Sequence, residues 1–378
     1  MNLWQVIRCK CLRSSLTRYW TASVQRQFSN ELDKICMSEP VIPMNVKAEK
    51  ATEALFTACG MEGMMKLKTA VPNAAERPLQ VRDLFWTCPH NADLRGASTM
   101  THPAFTSDSV AVITGGASGI GHAAALNFAR MGMRIVVIDR DTDKLAAAVD
   151  EIKAAGASDV MTSEADVSDR GQLEALEQQV TDRFGGADIL MNNAGIGGKS
   201  STLGDAAPWD RMLGVNLWGP IHGTQVFAPN MIGRGRPGAI INTGSKQGIT
   251  TPPGNPAYNV SKAALKAFTE ALSHELRSGP GHQITAHLLV PGFVYTGMTS
   301  SSEKPASAWT AEQTVDFFVD SVNRGDFYIL CPDNDVSRDI DEKRVAWSAG
   351  DVIENRPALS RWHPDFKEAF EAFIKKAD

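Results

Sequence analysis

From Ser107 onward, short apolar runs alternate with amphipathic stretches in a steady rhythm. Val110-Ala111-Val112-Ile113 is β-branched, brief and free of polar alternation, so it predicts a strand buried on both faces. Residues 134–138, 189–191, 238–242 and 284–290 repeat that signature, and 159–163 is a less apolar version of it. Between these runs lie helical stretches over 123–129, 144–155, 209–234 and 258–276, and over 172–184 with Leu173, Leu176 and Val180 on one side. Residues 327–332 add a candidate seventh strand. A terminal helix over 364–376 carries Phe366, Phe370 and Phe373 along one face, a stripe expected in core or subunit contact. Strands that alternate with helices predict an α/β fold. Its core is a doubly wound parallel sheet of about seven strands with helices on both faces, and ligands bind beyond the carboxyl ends of the strands.

The first strand runs into Thr114-Gly115-Gly116-Ala117-Ser118-Gly119-Ile120-Gly121 and then into a helix. Glycines permit the tight turn and close backbone approach, while the free amides and positive dipole end of the helix attract an anion. The stretch predicts a phosphate cradle with Gly115, Ser118, Gly119, Ile120 and Gly121 as contacts. Asp139 closes the second strand 18 residues beyond Gly121. A carboxylate there accepts hydrogen bonds from an adenosine ribose and disfavours a 2′-phosphate. Arg140 pulls the other way by attracting that phosphate, but Ser118 supplies no second positive charge, so NAD is favoured over NADP. Asp166, followed by Val167 after the third strand, is placed to reach an adenine amino group.

Composition narrows the picture. A chain of 378 residues can bury a sizeable core, and a net charge of -5 gives no reason to expect a nucleic-acid partner. No apolar run is long enough to span a bilayer. Five of the six cysteines (Cys9, Cys11, Cys36, Cys59 and Cys88) precede the glycine turn, and their spacings match no zinc pattern. Cys331 stands alone in the main body, which suits a reducing compartment. The histidines, among them His122, His222, His274, His282 and His287, show no metal-ligand spacing with carboxylates, so no metal is expected.

The first hundred residues lack the strand and helix rhythm. Arg8, Lys10, Arg13, Arg18 and Arg26 precede the first acidic residue, Glu31, as in a mitochondrial presequence. Met100 stands just ahead of the lead into the first strand. Residues 1–99 are therefore expected to be a leader, a poorly ordered extension or an upstream reading of the gene, and 100–378 the working domain. The expected location is cytoplasmic, or the mitochondrial matrix if residues 1–30 are a real presequence.

Tyr258 and Lys262 are four apart in a helical segment, so their side chains share a face. A phenol of pKa about 10 is a poor base near neutrality, and a neighbouring ammonium stabilises its phenolate. Ser245 ends the fifth strand 13 residues earlier. Thr114-Gly115-x-x-x-Gly119-x-Gly121, Asn192-Asn193-Ala194-Gly195, Ser245, Tyr258-x-x-x-Lys262 and Pro291-Gly292-x-Val294-x-Thr296 together resemble the short-chain dehydrogenase/reductase family, from about Val110 to Thr296.

The resemblance implies a Rossmann-type fold, a nicotinamide cofactor and a small alcohol or ketone as substrate. It implies that Tyr258 transfers a proton, that Lys262 tunes it and binds the nicotinamide ribose, and that Ser245 positions the substrate oxygen. Asn216 matches the helix asparagine that sustains a proton relay. Asn193, Ala194 and Gly195 would seat the cofactor ribose, and Pro291, Gly292, Val294 and Thr296 would wrap the nicotinamide. It also implies a homodimer or homotetramer through the helices near 209–234 and 258–277. Two rivals are an enoyl reductase, which typically has six residues between tyrosine and lysine where this chain has three, and a catalytically inactive nicotinamide-binding regulator, which tends to lack one of the pair.

Residues 246–256, and the Ser-, Ala- and Pro-rich stretch near 297–315, are expected to shape the substrate pocket, the second as a mobile lid. Neither holds an arginine cluster, which points to a neutral substrate.

Overall fold

The computed structural model describes residues 101–279, 283–298 and 303–375. The presequence-like segment, the N-terminal extension and its five cysteines lie outside the described residues.

Seven strands form one sheet: β1 (Val110–Thr114), β2 (Arg134–Asp139), β3 (Asp159–Glu164), β4 (Ile189–Asn192), β5 (Gly238–Thr243), β6 (Ile284–Val290) and β7 (Tyr328–Leu330). All pairs are parallel, in the order β3-β2-β1-β4-β5-β6-β7. The winding direction reverses between β1 and β4, and such a reversal opens a crevice at the carboxyl ends of the strands.

Alternation of side chains explains why the central strands read as unbroken apolar runs. Ala111, Ile113, Ile135 and Val137 point to one face, where Phe128 of α1 (Gly119–Arg130) and Phe318 of a later helix cover them. Val110, Val112, Val136 and Ile138 point to the other. There Leu173, Leu176 and Val180 of α3 (Arg170–Phe184) pack, as their spacing predicts. Helix α2 (Thr142–Ala154) links β2 to β3, and α4 (Ala206–Leu213) leads through a π-turn (Gly214–Trp218) into α5 (Gly219–Gly233) before β5. The single helix expected over 209–234 is thus three segments. A short α6 (Gln247–Thr250) and the long α7 (Pro256–Ser278) follow β5.

The structure corrects the far end of the chain. Helix α8 (Ala311–Asn323) was not foreseen, and the loop expected to extend to 315 stops at Thr310. Thr310 accepts from the Gln313 amide while the Gln313 side chain accepts from the Thr310 amide, a reciprocal cap that starts the helix. The part of that loop described before it is pinned rather than loose: Trp309 and Tyr295 exchange strand-like bonds with Phe293 and Trp309, and Asn334 binds the Ala306 and Ala308 carbonyls. A second unforeseen helix, α9 (Arg338–Ile353), follows β7. The terminal helix α10 (Lys367–Lys375) starts after two 3-10 turns. Phe370 and Phe373 of its stripe each pack against Trp347 of α9 at 5.3 Å, an internal contact.

Cys331 is fully buried, and burial pushes its thiol up to about 12. Among the described residues no helix is long and apolar enough to cross a membrane, and no cluster could hold a metal ion.

Candidate active site

The glycine turn between β1 and α1 is tight, as its glycine spacing predicts. Gly115 and Gly119 adopt φ of +62° and +56°, values that a side chain resists. A methyl on Gly121 would lie 2.3 Å from the Gly115 carbonyl oxygen, so the turn closes this tightly only without one. Helix α1 begins here with no side-chain cap from Ser118 and no acidic residue in its first turn. By contrast α2, α3, α8 and α9 each begin under a side-chain oxygen, from Asp141, Asp169, Thr310 and Ser337. The bare amides of α1 fit an anionic ligand. Ile120 packs against the core beneath.

At the end of β2 the Asp139 carboxylate is half-buried. Its Oδ1 accepts from the Arg140 amide at 2.8 Å, and its Oδ2 faces the Ala117 amide of the glycine turn at 3.4 Å. Arg140 turns away to Asp166, 3.1 Å between Nη1 and Oδ2. Asp166 also accepts from the Ser168 amide and hydroxyl at 2.9 and 2.6 Å. Burial raises its carboxyl, but the bonds from Ser168 and Arg140 outweigh that and hold it below the usual range. Val167 is buried and packs on Gly219, where an added methyl would sit 2.7 Å from Val167 Cγ2.

Next to the turn, Asn193 donates from Nδ2 to the Thr114 and Gly115 carbonyls at 3.2 and 3.3 Å. The Thr114 hydroxyl in turn accepts from the Asn193 and Ala194 amides at 2.9 and 3.0 Å. These bonds weld the loop after β4 to the loop after β1. A methyl on Gly195 would lie 3.4 Å from Asn216 Oδ1 and 3.8 Å from Lys262 Nζ, so the same loop runs from the glycine turn to Asn216 and Lys262.

Tyr258 and Lys262 lie on α7, in its first two turns. The Ser245 side chain hydrogen-bonds the Tyr258 hydroxyl. Lys262 Nζ lies 5.8 Å from the centre of the Tyr258 ring and donates to the Thr243 carbonyl at 2.7 Å. Burial alone lowers Lys262 to about 8. The sequence predicts a phenol depressed by its lysine. Here burial pushes Tyr258 up instead, and the Ser245 bond offsets only part of that rise. The Lys262 ammonium, which donates to the Thr243 carbonyl, does not reverse that rise.

Asn216 is completely buried in the π-turn, where it both accepts from the Ile196 amide at 2.8 Å and donates to the Ile196 carbonyl at 2.9 Å. Single π-turns inside helices concentrate at functional sites. The loop after β6 closes the opposite wall. Thr296 comes within 3.2 Å of a methyl built on Gly119, Val294 is buried in a bridge to Trp309, and Pro291-Gly292 begins the turn.

Several contributors were missed by sequence reasoning. The Thr114 hydroxyl and the Thr243 carbonyl are strand-end groups that look like ordinary ladder residues. Asn242 is another: it accepts at 2.8 Å from Asn192, which the Asn192–Gly195 motif already singles out, across neighbouring strands beneath the site. Ser200, from the loop after β4, accepts from the Ala257 amide at 3.0 Å and donates to Asn255 at 2.6 Å, so it fastens that loop to the start of the tyrosine helix. Polar residues at the tail of an apolar strand were the available signal.

Comparison with known proteins agrees with this geometry. The short chain dehydrogenase family pattern matches residues 109–307. A 1-deoxy-11-beta-hydroxypentalenate dehydrogenase from Streptomyces avermitilis is 33% identical over 230 residues, 59% of this chain and 84% of that protein. A short chain dehydrogenase/reductase from Burkholderia phymatum, solved in complex with NAD, is 32% identical at a TM-score of 0.61, covering 67% of this chain and 97% of its own. L-Sorbose reductase from Gluconobacter frateurii, complexed with NADPH and L-sorbose, is 28% identical at a TM-score of 0.54, covering 60% and 95%. With its parallel sheet, glycine turn and matched pattern, the chain belongs to the short chain dehydrogenase family of oxidoreductases.

Proposed function

We propose that the protein interconverts a secondary alcohol and its ketone, with Tyr258 as the proton-transfer group and a nicotinamide dinucleotide as hydride partner. The carrying observation is the Tyr258 hydroxyl, hydrogen-bonded to Ser245, one helical turn from a buried lysine in the crevice of the glycine turn. The dinucleotide, when bound, supplies or removes the hydride. The bare amides of α1 and Gly115, Ser118, Gly119, Ile120 and Gly121 would hold its phosphates. Asp139 would hold the adenosine ribose, Asp166 and Val167 the adenine, Asn193, Ala194, Gly195 and Lys262 the second ribose, and Pro291, Gly292, Val294 and Thr296 the nicotinamide.

Ser245 orients the substrate oxygen and stabilises its growing charge. Because burial keeps the Tyr258 phenol protonated at neutral pH, it is poised to donate a proton to a carbonyl, and acts as a base only at higher pH. Lys262, lowered to about 8, still carries its charge on most molecules at pH 7 and steadies the phenolate left behind. Asn216 holds the Ile196 backbone and so keeps the relay wall in place.

Asp139 beside the cradle and Arg140 held by Asp166 favour NAD over NADP. A neutral substrate is favoured because both lysines in the two pocket loops are engaged: Lys246 by Asp333 and Asp341, Lys304 by the Ala308 carbonyl. The catalytic unit of this reading is residues 100–378 and its location cytoplasmic. Its assembly is a homodimer or homotetramer joined through the 209–234 segment and α7, where Trp218 of the π-turn and Val260 of α7 are exposed. A screen of alcohols and ketones by cofactor absorbance tests the reading. Tyr258→Phe is expected to lower turnover about 10³-fold with cofactor binding intact, and unchanged turnover would overturn it.

A further inference from the structure

Lys246 follows the serine of the site, and its side chain turns to two carboxylates. Its Nζ lies 2.6 Å from Asp341 Oδ2 and 3.2 Å from Asp333 Oδ2, and all three side chains are largely buried. Asp333 comes from the loop after β7 and Asp341 from the first turns of α9. Asp333 Oδ2 also accepts from the Phe293 amide at 3.2 Å, while its Oδ1 accepts from the Val336 and Asp335 amides at 2.8 and 3.2 Å. Arg344 stands 3.7 Å from the other oxygen of Asp341. One ammonium therefore joins the loops after β5, β6 and β7 and helix α9.

The bridge reaches the reacting groups by two routes. A methyl on Gly292 would lie 2.8 Å from Asp333 Oδ2 and 3.0 Å from Lys246 Nζ, so the turn that opens the nicotinamide wall rests on the ion pair. The Lys246 carbonyl accepts from Ile249 and Thr250, building α6, and Gly248 of α6 sits against the backbone of Lys262, 2.6 Å from a methyl placed there. Ser245 is its covalent neighbour. A buried salt bridge is weak evidence for stability, and its best-attested use is to fix one geometry among several.

We propose that Lys246, through Asp333, is a positioning residue that sets the spacing between the Ser245 and Lys262 side of the cleft and the 291–296 wall. This rests on the reaction proposed above. The tests are Lys246→Met, Asp333→Asn and the double variant, each assayed for kcat, KM, NADH affinity by fluorescence and amide exchange at Phe293. Each single variant is expected to lose about 10- to 100-fold in kcat, as for a misplacement near 1 Å, with NADH affinity held within about threefold. The double variant should be no worse than either single one, because both break the same bridge. Wild-type kcat per folded molecule in the single variants, or losses that multiply in the double, would overturn the proposal.

Asp333→Asn is nearly isosteric and carries the test if Lys246→Met does not fold. The exchange arm needs no turnover. Faster exchange at Phe293 in both single variants, with β5 and β6 unchanged, is expected, and unchanged exchange overturns the bridge. Full turnover by Tyr258→Phe would instead sink the proposed reaction, and the exchange rates at Phe293 would still decide whether the bridge holds the wall.

Discussion

Asp188 lies just before β4 at the amino edge of the sheet, 2% exposed, and both its oxygens are in use. One accepts from the Val110 amide at 2.9 Å, and the other faces Arg234 at 2.7 Å and Arg236 at 3.6 Å. Nearby, His287 donates from Nδ1 to the Asp326 carbonyl, which leaves its Nε2 to accept from the Thr285 hydroxyl at 2.8 Å. His102 then donates to the same hydroxyl at 3.1 Å. At the carboxyl edge, Lys262 is just as buried yet has no carboxylate partner among the described residues, and Tyr258 has only Ser245. Burial is common to both edges. What separates the Asp188 and His287 groups from the Tyr258 and Lys262 pair is whether the buried groups have completed their bonding, and the incomplete pair is the one a ligand can finish.

The strongest way to break this contrast is at Asp188. Asp188→Asn should cost about 3 kcal/mol of stability, since it removes a buried charge that holds the partly buried Arg234, while turnover per folded molecule stays at the wild-type level. Urea unfolding beside an activity assay measures both, and a kcat that falls with stability would erase the distinction.

Acid sharpens it next. Burial, reinforced by His287, lowers His102 to about 4 from an ordinary value of 6.5. The unfolded chain takes up this proton first, so the contribution is complete above pH 6.5 and drains away as pH falls through about 4. Solvent at the ring edge screens the full shift to about 2 kcal/mol. His102→Asn should flatten unfolding free energy between about pH 6.5 and 4, and an unaltered slope would refute the role.

The smallest effect compares two helix starts within the carboxyl edge. Asp169 accepts from the Gly171 and Gln172 amides, so Asp169→Ala should cost about 1 kcal/mol. Ser118 caps nothing, so Ser118→Ala should cost less than about 0.5 kcal/mol. Equal losses in thermal melts would mean that the start of α1 is not bare.

The strands could be read along the chain because both faces of each are covered, which leaves uninterrupted apolar runs such as 110–113. The tight glycine turn, and the placing of the tyrosine and the lysine one turn apart on a helix, were legible for a similar reason, since turn geometry and helical spacing act over a few residues. Helix α8 was also written locally, in the Thr310 and Gln313 cap and in Val315, Phe318 and Val322, but the Ser, Ala and Pro ahead of it favoured a longer loop. Helix α9 was not. Its charged start, Arg338 to Arg344, has the look of a solvated face until Asp341 meets Lys246, 95 residues away in sequence. The rise in Tyr258 was hidden too, because burial is a property of the assembled cleft and not of a four-residue spacing.

The π-turn has a consequence for how this protein can change. A π-turn accommodates one residue more than an α-helix would over the same path, and each residue of an α-helix advances the face by about 100°. Deleting a single residue near Val215 would let Gly214–Trp218 relax into ordinary helix and swing Asn216 off the Ile196 backbone, with every other side chain of the site chemically intact. The segment can drift in composition far more freely than in length.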